Sequence, residues 1–187
     1  MIRSVMVGAA LLLALPGHAA VTLMGGGMGR SCFEAAEMKR STRTSIEICT
    51  QALEEEALGR RDRAATLVNR GILKMQGRDL DGAIADYAEA IRVDGSLAEA
   101  YVNHGIALLH KGGRDRDAIA ALSQGLSMNP SRPEVAYYTR AVAYELTGDM
   151  RQAFEDYQAA AAAKPGWEEP IEQLKRFSVE RKKTARG

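Results

Sequence analysis

Small and apolar residues recur along the middle of the chain at fixed intervals. Gly71, Ala83, Tyr87, Ala90 and Gly95 return as Gly105, Ala118, Leu122, Gly125 and Pro130, and again as Ala141, Ala153, Tyr157, Ala160 and Pro165. From the alanine onward the spacing is 4, 3 and 5 residues in all three copies, and the period is roughly 34 residues. Self-similarity of this kind predicts a repeat array, in which each unit is one supersecondary element that buries its apolar face only by stacking on its neighbours. The second copy departs from the others. Gly105 to Ala118 spans 13 residues instead of 12, which puts one extra residue into the turn at 111–117. Leu122 and Gly125 there replace the aromatic residue and the alanine, and Gly95 replaces the closing proline of the first copy.

Helix start signals give the same phasing. Ser96-Leu97-Ala98-Glu99 and Ser131-Arg132-Pro133-Glu134 match the Ser-x-x-Glu capping box ahead of a first helix. Pro133 suits an early helical position, where its missing N–H costs nothing. Asp149 opens the second helix of the third unit, and Gly77, Gly112-Gly113 and Gly148 fall in the turns within units. After Pro165 a further helix is expected over 167–183, with Ile171, Leu174 and Phe177 forming one apolar stripe. Solenoids require such an end piece with a polar outer face. Its last stretch is basic, with Arg181, Lys182, Lys183 and Arg186, and is expected to be a solvated tail.

The repeating pattern resembles the tetratricopeptide repeat (TPR), a helix–turn–helix unit, over residues 62–183. The resemblance implies an all-α, right-handed superhelical TPR solenoid with a C-terminal capping helix. It divides the chain into TPR 1 at 62–97, TPR 2 at 98–133, TPR 3 at 134–167, and a capping helix with basic tail at 168–187. Gly71, Gly105 and Ala141 then sit where two helices cross closely. The resemblance also implies a concave groove, lined by the first helices, that holds an extended peptide or a partner helix. The matching groove positions are Ala65, Val68, Asn69, Ile72, Met75 and Gln76 in the first unit. In the second they are Glu99, Val102, Asn103, Ile106, Leu109 and His110, and in the third Val135, Tyr138, Thr139, Val142, Glu145 and Leu146.

Asn69 and Asn103 carry the sharpest chemistry among these. An asparagine amide offers donors and an acceptor, the complement of a peptide backbone unit. Two of them one repeat apart can hold an extended ligand without reading its sequence, and Thr139 breaks the ladder in the third unit. The alternative is that both amides bond to neighbouring helices. Val68 and Ile72 stand where the carboxylate-clamp subtype needs lysine and asparagine, so a clamp for acidic C-termini is disfavoured. The stripe Val68-Ile72-Met75, Val102-Ile106-Leu109, Tyr138-Val142-Leu146 suits an amphipathic helix or hydrophobic peptide, or else packs against adjacent helices. Arg70, His104 and Arg140 form an apparent basic column. Asp86 and Asp156 occupy the matching second-helix position in the units with arginine, and Ala121 in the unit with histidine. That pattern predicts an Arg–Asp pair within a unit, not a ligand contact.

The N-terminal region differs in kind. Arg3, the apolar stretch 5–15 and the small residues of Pro16-Gly17-His18-Ala19-Ala20 have the three-part layout of a secretory signal peptide. Cleavage is expected after Ala19, giving a signal at 1–19 and a periplasmic or secreted protein; the alternative is an uncleaved anchor. Gly25-Gly26-Gly27 and Gly29 predict a flexible leader at 20–30. Next comes a degenerate helical hairpin at 31–61, holding the two cysteines, Cys32 and Cys49. Cys49 stands at the position of Tyr87, facing the first helix of its own unit. An even cysteine count in an exported chain suggests a disulfide stapling the hairpin. Two buried thiols or a redox pair are the alternatives, although the Cys-x-x-Cys spacing of redox pairs is absent.

Composition limits the function classes. Lys and Arg number 25 against 24 Asp and Glu, so no global field favours nucleic acid or an anionic membrane. The three histidines show no metal-ligand spacing, and there is no Gly-x-Ser-x-Gly elbow. Glu54-Glu55-Glu56 is expected to be a solvated helix face. The expectation is a non-catalytic interaction module without metal or cofactor. Its partner is a protein or peptide, or a second copy in a homodimer, and not nucleic acid or a small-molecule substrate. A chaperone-like holder of exported chains is the neighbouring possibility, and an enzyme with an unrecognised site the more distant one.

Overall fold

The computed structural model describes residues 2–4, 18–23 and 26–179. Its helices are α1 (Met28–Glu37), α2 (Arg43–Glu55), α3 (Arg60–Gln76), α4 (Leu80–Val93), α5 (Ala98–Lys111), α6 (Asp115–Ser127), α7 (Pro133–Thr147), α8 (Met150–Ala163) and α9 (Glu168–Leu174). Each packs on its sequence neighbour, and the first helices also form a row, with α1 against α3, α3 against α5 and α5 against α7. The fold is therefore an all-α helical repeat with three full units, α3–α4, α5–α6 and α7–α8. The hairpin α1–α2 occupies the place of a further unit at the N-terminal end.

Within each unit the helices meet at a small residue. A Cβ on Gly71 would lie 2.6 Å from the ring of Tyr87, and one on Gly105 would lie 2.6 Å from Cγ of Leu122. Tyr87, Leu122 and Tyr157 are fully buried, as are the alanines at 83, 118 and 153. The hairpin solves the same packing problem covalently. Cys32 and Cys49 form a disulfide with Cα atoms 4.9 Å apart, and both are fully buried.

Arg70 Nε and Nη2 donate to the two carboxylate oxygens of Asp86 at 3.0 and 2.7 Å, and Arg140 does the same to Asp156 at 2.7 and 2.8 Å. The third nitrogen of each guanidinium reaches back to the preceding unit. Arg70 Nη1 donates to Thr50 Oγ1 on α2 at 3.1 Å, and Arg140 Nη1 to Ser123 Oγ on α6 at 2.9 Å. Each arginine thus joins three helices. His104 has Ala121 at the acid position and Ala88 at the hydroxyl position, so arginine, acid and hydroxyl come and go together.

Several local expectations are corrected. The two capping boxes do not form, because their serines bond elsewhere. Ser96 Oγ donates to Asp94 Oδ1 at 2.6 Å, leaving Leu97 at the N-cap of α5. Glu99 accepts from Ser131 N in the next unit at 3.0 Å, and Arg132 takes the N-cap of α7. Asp149 caps α8 as expected, accepting from Gln152 N at 3.2 Å. Glu56 is not part of a solvated face. Its carboxylate accepts from Met28 N and Gly29 N at 2.5 and 3.0 Å, capping α1, whose free N–H groups favour a negative partner. Gly27 (φ 89°) permits that approach, since a Cβ there would lie 2.3 Å from Glu56 Oε1.

The end piece is shorter than the expected helix. The chain turns after Leu174, and 177–179 pair as an antiparallel strand with residues 2–4, Ile2 opposite Val179. Phe177 packs on Phe154 and Tyr157, at ring-centroid distances of 5.6 and 6.0 Å, while Ile171 of the expected stripe is 41% exposed. The expected signal's apolar stretch, 5–15, and the basic tail lie outside the described residues.

Arg140→Ala leaves Asp156, 7% exposed, without its main partner. It should lower unfolding stability by about 3 kcal/mol and leave the groove unaltered. An unchanged melting curve would contradict this structural role. Reduction of the Cys32–Cys49 bridge should cost about 3 kcal/mol in the chain-entropy account, measured by denaturant titration with and without reductant; coincident curves would show that the bridge adds nothing.

Candidate functional site

The row α1, α3, α5, α7 forms one face of the solenoid, and the segment 18–23 lies along it. Asn69, fully buried on α3, grips Val21 with both ends of its amide. Val21 N donates to Asn69 Oδ1 at 2.9 Å, and Asn69 Nδ2 donates to Val21 O at 2.8 Å. One unit further, Asn103 on α5 donates through Nδ2 to Ala19 O at 3.2 Å. Successive asparagines therefore hold alternate residues of the bound segment. Burial alternates too, with Val21 and Leu23 buried and Thr22 exposed, the period of an extended chain. The expected free leader is thus docked over 20–23. Its glycines follow the docked residues, which are anchored by two aliphatic side chains and by the asparagines.

The apolar stripe lies beneath and beside this segment. Val68, Ile72, Met75, Val102 and Ile106 are at most 7% exposed and share one core cluster with Val21, Leu23 and the disulfide. They are a floor, not an open apolar trough. Leu109 is also buried, whereas His110 is exposed. The third unit does not continue the site. Tyr138 packs against Tyr157 and Trp167, with ring centroids 5.5 and 5.1 Å apart, and Val142 joins that cluster under the end piece. Thr139 Oγ1 donates to Val135 O of its own helix at 2.8 Å. Glu145 accepts from Arg176 Nη2 at 3.0 Å, tying the end piece to α7. The predicted residues of the first two units are brought together; those of the third serve the cap.

His18 was not singled out by sequence reasoning. Its Nε2 lies 3.0 Å from Sδ of Met75. It borders a cavity of about 450 Å³ together with Ala19, Ala20, Ala36, Glu37, Lys39, Gln76, Ser131 and Arg132. Burial, reinforced by the nearby His110, Lys39 and Arg132, lowers its pKa from 6.5 to about 4. The signal that could have flagged the segment is short, two aliphatic residues alternating about Thr22. Among the described residues no three His, Cys, Asp or Glu side chains gather as a metal site, and no helix is long and apolar enough to cross a membrane.

Comparison with known proteins places the fold. Residues 135–166, within the third unit and its end, match the tetratricopeptide repeat family model, and the array as a whole has the fold of solved TPR solenoids. The crystal structure of MamA superposes with a TM-score of 0.66 at 21% identity, covering 81% of this chain and 82% of that one. YrrB, described as a TPR protein with an unusual peptide-binding site, gives 0.62 at 16% identity over 76% and 69% of the two chains. The second TPR domain of human RPAP3, solved in complex with the HSP70 peptide SGPTIEEVD, gives 0.58 at 21% identity over 63% and 96%. A search of curated proteins returns no match.

In the uncleaved chain, which keeps His18, the docked segment should respond to pH. His18 must be neutral when docked, with a pKa near 4, and titrates near 6.5 when released. Docking is fully supported above pH 6.5 and weakens as pH falls towards 4, by up to roughly two orders of magnitude. Exchange protection of the Val21 amide, followed by NMR from pH 7.5 to 4, measures it. Protection that stays flat across that range, or in a His18→Ala chain still falls as steeply as in wild type, would rule out His18 as the cause.

Proposed function

We propose that the protein is a non-catalytic adaptor of the bacterial periplasm, exported by its N-terminal signal, that holds an extended peptide on the face formed by α3 and α5. The observation that carries the proposal is the paired hydrogen bonding of Asn69 to both main-chain groups of Val21. A side-chain amide that satisfies N–H and C=O of one residue reads backbone, which every peptide has. Asn103 supplies the next contact at the alternate residue, and the floor of Val68, Ile72, Val102 and Ile106 favours aliphatic side chains facing inward.

The comparisons support an interaction module at the level of fold. They also sharpen the partner's chemistry by contrast. The RPAP3 domain is solved with an acidic peptide, whereas in this chain Val68 and Ile72, 0% and 1% exposed, stand where the resemblance to the carboxylate-clamp subtype calls for lysine and asparagine. The ligand expected here is uncharged and aliphatic. Because the asparagines touch only main chain, a broader role as a holder of exported chains is the second reading.

A photo-crosslinking residue at the exposed position 110, in the native host, separates the two. A single dominant adduct, lost in Asn69→Ala/Asn103→Ala, is expected for the adaptor. Many adducts insensitive to the asparagines would replace it with the holder, and adducts of the chain with itself would indicate a homodimer. Fusion to a reporter that is active only after export tests the location, and an inactive fusion would refute it.

A further inference from the structure

The groove is filled by the chain itself, and the fit is uneven. At Asn69 both main-chain groups of Val21 are paired, and Val21 and Leu23 are buried to 7% and 4% exposure. At Asn103 only Nδ2 is used; its Oδ1 is buried and has no partner. Gln76 Oε1 is a second buried acceptor without a partner, and it lines the 450 Å³ cavity beside His18, Ala19 and Ala20. Buried acceptors are normally paired. Both orphans face the 18–20 end of the segment, Asn103 through its bond to Ala19 and Gln76 across the cavity, and they mark the end at which this occupant complements the groove least.

We infer that residues 18–23 are a tethered competitor: an incoming extended aliphatic peptide displaces the chain's own leader, starting at Asn103, where it can supply the N–H that the leader withholds. The inference rests on the peptide-binding reading given above. Leu23 connects to α1 through a stretch containing Gly25, Gly26 and Gly27. So short a tether sets an effective concentration in the millimolar range. Weak ligands are thereby excluded, and only a segment that matches both asparagines competes. Cleavage after Ala19 would remove the contact to Asn103 and keep that to Asn69, weakening the competitor without abolishing it.

The test uses the full chain and a labelled peptide of its own residues 18–23, His-Ala-Ala-Val-Thr-Leu, with blocked ends. Val21→Pro deletes the N–H that Asn69 accepts without altering the groove. A second variant, Val21→Gly with Leu23→Gly, removes the aliphatic anchors and keeps the amides. Melting curves establish that each variant is folded. Both variants should bind the peptide on the order of tenfold or more tightly than wild type, and adding Asn69→Ala should abolish the gain. Equal, measurable affinity in wild type and variants would overturn the competitor while leaving the peptide groove intact. Absence of binding to either folded variant would also overturn it, since the leader would then have no affinity of its own, whereas the adaptor reading still stands or falls on the crosslinks at position 110. Affinity that falls with protein concentration, together with a dimer by light scattering, would show that the occupant comes from a second copy.

Discussion

Everything in this structure depends on how closely two helices of a unit approach each other. Gly71 and Gly105 leave room for a large side chain from the facing helix, and Tyr87 and Leu122 fill it. That contact fixes the separation and rotation of each pair, and stacking then repeats the same geometry from unit to unit. Once the rotation is fixed, the opposite side of each first helix has no choice of direction. Asn69 and Asn103 hold equivalent positions, so they face one line and contact alternate residues of one segment. The hairpin α1–α2 reaches a comparable approach with a disulfide in place of an aromatic side chain, which suits a unit too short to bury much apolar area.

The arginines show how neighbouring units are locked to one another. A guanidinium has five donors in a rigid plane, so one carboxylate can take two while a third points elsewhere. Arg70 and Arg140 use that geometry to join their own second helix and the one before it. The middle unit lacks the arginine and the acid, the unit before it has Ala88 in place of the hydroxyl, and the middle unit also carries the lengthened turn with Gly112 and Gly113, both at positive φ. Arg140 still ties it to the third unit through Ser123, whereas His104 makes no equivalent bridge to Ala88 of the first unit.

The sequence made legible whatever repeats or is paired locally. The unit boundaries, the Arg–Asp pairs, the Asp149 cap and the Cys32–Cys49 bridge each follow from positions that recur in phase. The capping boxes failed because other partners were available: Asp94 takes the Ser96 hydroxyl, and Glu99 reaches the main chain of Ser131 in the next unit. Glu56 as a cap, and the docking of Val21 on Asn69, were hidden for another reason. Each is a single contact between segments 27 to 48 residues apart, and no periodicity reports it. The glycines at 25–27 gave no sign that the residues before them, 20–23, are docked. In the third unit the same register faces the end piece, which needs a surface to cover. Tyr138, Val142 and Glu145 are used for that.

Burial of the asparagines has a consequence for every state of the groove. An amide with no exposure cannot be left empty without losing hydrogen bonds it would have had in water, at about 1–3 kcal/mol for each unsatisfied group. Asn69 is at 0% exposure with the leader in place. When the leader leaves, either water enters and hydrates the amide beside an aliphatic floor, or another backbone replaces the first. The floor of Val68, Ile72 and Ile106 makes the first option costly, since water there has few other partners. An occupied groove is thus the low-energy condition, and exchange of one extended segment for another is easier than vacancy. The same two features that let Asn69 hold the main chain of Val21 make the site costly to leave empty, and the segment that fills it is the chain's own.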